Sequence, residues 1–181
     1  EGKLAPSVSR LHLVLPDSTK CAALKHALLT LKPSLTITCG PSYETPLAEQ
    51  KVWVEQADAV LVANVTPKQS PVEMGGVEDW HKYRDLSRYK SKQDKALAEI
   101  LTHAKGLGKQ RVFVSLRTPY EIGQYGKLST DVIATYAYNA HIEQNESGKG
   151  QAIGPAYSAL AKLLVGQLTA TGQSPVTIIS E

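Results

Sequence analysis

The chain has 181 residues, of which 42% are hydrophobic and 20% charged, the balance of a single globular domain large enough for a sizeable core. The formal charge is only +3 and no long run carries one sign, which argues against a nucleic-acid surface. No apolar run approaches the ~18 residues of a membrane-spanning helix.

The chain opens Glu1-Gly2-Lys3, without an initiator Met and without a signal-peptide pattern. That points to processing or to a piece cut from a longer protein. Residues 1–9 read as a linker or strap, and 10–181 as one domain. The first strand is predicted at 11–15 (LHLVL). Pro16-Asp17-Ser18 breaks it and offers an N-cap to a helix with Cys21, Leu24, Ala27, Leu28 and Leu31 on one face. Residues 35–39 (LTITC) form the second strand. Thr45 and Pro46 then start a helix carrying Leu47, Ala48, Val52 and Ala57. The third strand, 59–65 (AVLVANV), is almost wholly apolar and so central.

From 66 to about 89 neither helical nor strand periodicity is visible, and a long loop is expected, dense in aromatics and charges. A helix follows from Asp94, with Leu97, Ile100, Leu101 and Ala104, ended by Gly106 and Gly108. Residues 111–116 (RVFVSL) make a buried parallel strand that runs into Arg117-Thr118-Pro119-Tyr120. The fifth strand is predicted at 132–136, a polar loop at 139–150, a helix from about 152 to 165 that is interrupted or restarted at Gly154-Pro155, and a last strand at 176–179. This alternation gives an α/β fold, a three-layer α/β/α sandwich with a mainly parallel sheet of about five or six strands, the last antiparallel.

Right-handed crossovers place the loops at 40–44, 66–90, 117–126 and 137–150 on one edge of that sheet, where such folds bind ligands. The first strand lacks the G-x-G-x-x-G of a dinucleotide site, and 147–150 (SGKG) is a flexible polar turn. No G-x-S-x-G elbow occurs. The five histidines form no H-x-x-x-H pair and the two cysteines no C-x-x-C, so no metal or cofactor is expected. Cys21 and Cys39 read as two buried free thiols, with a disulfide left open. The remaining candidates are carboxylates and aromatics of the long loop: Glu73, Glu78, Asp79 and Asp85 beside Trp80, His81 and Arg84. Carboxylates can protonate a leaving oxygen or bind hydroxyls, which is the equipment of sugar chemistry.

The stretch 159–177, ALAKLLVGQLTATGQSPVT, resembles the signature A-x-A-x-x-L-x-G-x-x-x-P-x-G-x-L-P-V-T of the C-terminal α/β-sandwich domain of glycoside hydrolase family 3. Ala159, Ala161, Leu164, Gly166, Gly172, Pro175, Val176 and Thr177 match, whereas Ala170 replaces a Pro and Ser174 a Leu. The stretches VIATYAY, RVFVSLRTPYEI and ADAVLV are similar to the family in order and spacing. The third of these is the family's strand after an A-D pair. RVFVSLRTPYEI is most like the β-N-acetylhexosaminidase branch. The resemblance implies a TIM-barrel domain in the same polypeptide that carries the Asp nucleophile and, in this branch, the acid/base with its K-H-x-P-G-H-G motif. Neither barrel nor motif is present here. It therefore implies a domain that packs on a catalytic barrel, helps bind a carbohydrate and is incomplete as a catalyst. Asp79, Trp80, His81, Arg84, Asp85, Arg117 and Tyr120 become substrate-rim or interdomain residues. In the β-glucosidase branch a Glu near E-x-x-G-x-D-R, on the loop after the third strand, is the acid/base. Here 73–80 read EMGGVEDW, which makes Glu73 or Glu78 the alternative proton donor. A stand-alone sugar-binding module is the third reading. The compartment stays open between cytoplasm and a secreted or periplasmic location.

Overall fold

The structure is a computed structural model that describes residues 2–65, 80–144, 148–174 and 176–178; for 80–91 it describes the course of the chain only. Five strands, β1 (Arg10–Val14), β2 (Thr36–Cys39), β3 (Ala59–Asn64), β4 (Gln110–Ser115) and β5 (Asp131–Ala134), form one sheet in the order β2-β1-β3-β4-β5. All four pairings are parallel. Among the described residues five α-helices accompany them: α1 (Ser18–Leu31), α2 (Leu47–Gln56), α3 (Trp80–Gly106), the short α4 (Glu121–Tyr125) and α5 (Pro155–Leu164).

The period of two along each strand divides the core into two. Leu11, Leu13, Leu61, Val112 and Val114 face α1 and α5, meeting Leu24, Leu28, Tyr157, Leu160 and Leu164. Val14, Val60, Val62 and Phe113 face the other way, onto Val54 of α2, Leu97, Ile100 and Leu101 of α3, and Tyr125 of α4. Every residue of β3 is buried, as its unbroken apolar run predicts. The layers are therefore helix, sheet, helix, as expected.

Local chemistry sets the element ends. The Asp17 carboxylate caps α1 by accepting from the Lys20 backbone N–H at 2.9 Å. At the end of α5, Gly166 takes φ +83, the left-handed turn for which glycine is suited, and the Gln167 N–H closes back on the Lys162 carbonyl at 2.8 Å. The N-terminal strap lies along α5: Leu4 N–H donates to the Leu164 carbonyl at 3.0 Å, and the Gln110 side chain bonds Ala5 N–H and the Lys3 carbonyl. Leu4 and Val8 are buried.

Four expectations need correction. Helix α3 starts at Trp80 rather than Asp94; its first three turns interleave charges with aromatics, which hides the helical period. The polar loop at 139–150 contains an antiparallel hairpin, β6 (His141–Gln144) and β7 (Gly150–Ile153). Its β6 is exposed throughout, so no burial pattern announces it. Residues 176–178, expected in a last antiparallel strand, are not in a strand. Finally, Cys21 and Cys39 are disulfide-bonded, with Cα atoms 6.0 Å apart. They meet because β2 lies beside β1, whose end leads directly into α1. That neighbourhood is a matter of sheet order, which cysteine spacing does not encode.

Candidate functional site

In an open parallel sheet the carboxyl ends of the strands diverge at the point where successive crossovers pass to opposite faces. Here that point lies between β1 and β3: α1 leaves β1 for one face, α3 leaves β3 for the other. The residues just beyond the strand ends are polar. Asp17 follows β1, Ser42 and Tyr43 follow β2, Asn64 ends β3 and Glu121 opens α4 beyond β4.

A chain of hydrogen bonds joins them across the sheet. The Gln93 amide, on α3, donates to Ser42 Oγ and to Asn64 Oδ1, both at 3.1 Å. Asn64 in turn donates through Nδ2 to Glu121 Oε1 at 3.0 Å. Asn64 and Glu121 are both buried. One turn away from this chain, the Tyr125 hydroxyl donates to Asp94 Oδ1 at 2.9 Å, while its ring packs on Phe113 with centroids 4.6 Å apart. Loss of water around the Tyr43 hydroxyl raises its pKa above the ordinary phenol value, and the Asp17, Glu121 and Asp94 carboxylates add to the rise; a hydrogen bond from Gln93 opposes them. Carboxylates of Asp17, Asp94 and Glu121 thus gather near two fixed amides, with Glu121 buried and Asp17 paired with Lys20. Such a set can bind hydroxyl groups, since amide and carboxylate together offer donors and acceptors. Among the described residues no group of three or more His, Cys, Asp or Glu side chains could hold a metal ion.

Three histidines are held elsewhere. His12 is buried within β1, His26 meets Gln151 of the hairpin and His103 meets Glu55 of α2.

Of the residues named from sequence, Glu73, Glu78 and Asp79 lie outside the described residues. Trp80, His81, Arg84 and Asp85 fall on the first turns of α3, where the chain course alone is described. Arg117 is half-buried just beyond β4, and Tyr120 is exposed immediately before α4. Sequence reasoning missed Ser42, Tyr43, Asn64, Gln93, Asp94 and Glu121. The signal available was coarse: the loops 40–44 and 117–126, which hold Ser42, Tyr43 and Glu121, were placed on this edge, and Asn64 stood as a polar residue near the end of an otherwise apolar strand.

The fold is thus a doubly wound α/β domain with a polar edge at its strand ends. No protein-family model matches the chain. The chain is 40% identical over 171 residues to "Beta-hexosaminidase A" of Pseudoalteromonas piscicida. The match takes in 93% of this chain but only 28% of that protein, so the chain spans less than a third of this relative's length. The similarity to a β-hexosaminidase carried by the sequence motifs is borne out. Among solved structures, a response regulator from Burkholderia multivorans aligns with a TM-score of 0.36 and 17% identity, covering 70% of this chain and 82% of that one; so loose a likeness bears on neither fold nor function.

Proposed function

We propose that the chain is the C-terminal α/β-sandwich domain of a family 3 glycoside hydrolase, an exo-acting β-N-acetylglucosaminidase, and that it packs on the catalytic barrel of the same polypeptide. The observation that carries this reading is the 40% identity across nearly the whole chain to less than a third of a β-hexosaminidase. The remaining length of such a protein is where the nucleophile and acid/base belong. The crevice supports an auxiliary part in carbohydrate binding: Asn64, Gln93 and Glu121 are buried or half-buried, mutually oriented, and suited to hydroxyl groups. Arg117 and Tyr120, beside the same strand ends, then serve the rim of the substrate site.

On this reading the chain by itself binds at most weakly and does not turn over substrate. Incubated with a nitrophenyl N-acetylglucosaminide, it is expected to release nitrophenol at the buffer rate. Turnover by the pure chain, abolished by a substitution within it, would sink the proposal.

A further inference from the structure

The sheet ends at β5, and the outer edge of that strand has no partner strand among the described residues. Exposed edges are normally blunted by charge, proline or a covering segment, because their free N–H and C=O groups recruit other chains. The residues of β5 themselves carry little such protection; the tail around Ala170 and Gly172 lines the cleft beside the strand without pairing with it. The strand's one charged residue, Asp131, sits at the very start and pairs with Lys3 at 3.2 Å. After it come Val132, Ile133 and Ala134, and Val132 is 41% exposed.

Beside this edge runs a cleft of about 430 Å³ whose near wall is Val132, Ile133, Tyr136, Pro119 and Ile122, and whose far wall is the tail that includes Ala170. Tyr136 forms its lip. That residue is 48% exposed and holds φ +54, a left-handed conformation that bulky side chains rarely adopt and that tends to persist where function requires it. Tyr120 and Tyr138, 53% and 37% exposed, stand on the adjoining loops. Amphipathic aromatic rings around an apolar strip are the make-up of an interface core. The amino end of the sheet is built differently. There Asp58 ties Ser9 and Arg10, and Lys109 caps the Glu55 and Ala57 carbonyls, so that end is closed by its own charges.

This chain corresponds to 28% of a β-hexosaminidase. Resting on its reading as one domain of such an enzyme, we infer that the β5 edge, with its cleft and the Tyr136 lip, seats an apolar segment of the catalytic part of the same polypeptide. The left-handed tyrosine is kept because its ring belongs to that contact.

Two substitutions separate docking from folding. Tyr136→Gly removes the ring and suits the left-handed backbone, and Val132→Glu puts a charge on the edge. In this chain by itself, Tyr136→Gly is expected to hold or raise Tm, and Val132→Glu to shift it by no more than about 2 °C. In the full-length polypeptide both are expected to lower Tm, and the amides of 131–136 to exchange about tenfold faster than in the unsubstituted polypeptide. Unchanged Tm and exchange in a full-length polypeptide that does contain a catalytic domain would overturn the inference and leave the domain reading standing. A reading frame without such a domain would overturn both. A dimer of this chain that Val132→Glu dissociates in sedimentation would assign the edge to self-association, and would also overturn it.

Discussion

Replacing Cys21 and Cys39 together by alanine is expected to destabilise the protein by about 3 kcal/mol and to lower Tm by roughly 6–12 °C. The two residues are 18 apart in sequence, and on the chain-entropy account closing a loop of that size removes about this much freedom from the unfolded state. The site matters as much as the loop. β2 is an edge strand of four residues whose only sheet partner among the described residues is β1. The disulfide fastens its last residue to the first turn of α1, which is buried against the core. It also anchors the start of the loop carrying Ser42 and Tyr43 into the crevice, where Gly40 lies so close to Gln50 that a side chain there would collide with its amide. Without the bridge, β2 should fray first. Thiol titration of the denatured, unreduced protein is expected to find no free thiol. Two free thiols, or an alanine pair that melts with the wild type, would remove the argument.

The elements most legible in the sequence were those whose burial is uniform. β3 and β4 are covered on both faces by helices, so their apolar runs are continuous and readable. α5 announces itself through Pro155 at its start and Gly166 beyond its end. The first turns of α3 were not readable, because a segment such as HKYRD mixes charge and aromatic residues at every position. The β6–β7 hairpin escaped for a related reason: β6 is exposed on both sides, so alternation carries no signal. The crevice was hardest of all. Asn64 and Glu121 are 57 residues apart and Gln93 and Ser42 are 51 apart. Chain order indicates that loops after β2, β3 and β4 share an edge, but which side chains reach one another depends on how far each helix is set back from the strand ends.

Between pH 6.5 and about 4 the protein is expected to lose up to about 3 kcal/mol of stability through a single residue, His12. This side chain is fully buried on β1, facing α2. Burial pushes its pKa down from 6.5 to about 4, and hydrogen bonds with Gln50 and Thr38 only partly offset that. The geometry shows why the neutral form is held. Gln50 uses its amide N–H on the Gly40 carbonyl at 2.9 Å, so its oxygen is left to accept from His12 Nε2–H at 2.7 Å. Nδ1 then accepts from the Thr38 hydroxyl at 2.9 Å. The Trp53 ring, with its centroid 5.4 Å away, completes the cage. A proton added at Nδ1 would oppose the Thr38 donor and bring a charge into the core. The unfolded chain takes up that proton below pH 6.5, and the folded chain resists until about pH 4. The unfolded state therefore binds more protons within this window, and stability falls as pH falls through it. Asp58 acts in a different range. Bonds from the Arg10 side chain and backbone, and then from Ser9, hold its carboxyl well below the usual carboxylate range. Its contribution is fully present above about pH 4 and is lost only as the solution becomes more acidic. Urea unfolding of wild type and His12→Leu from pH 7 to 4 isolates the histidine. The wild type should lose up to about 1.4 kcal/mol per pH unit more than the variant across this window. Parallel curves would show that His12 takes up its proton equally well in both states. The buried triad of His12, Thr38 and Gln50 would then have to be conformationally open enough for the imidazole to reach water.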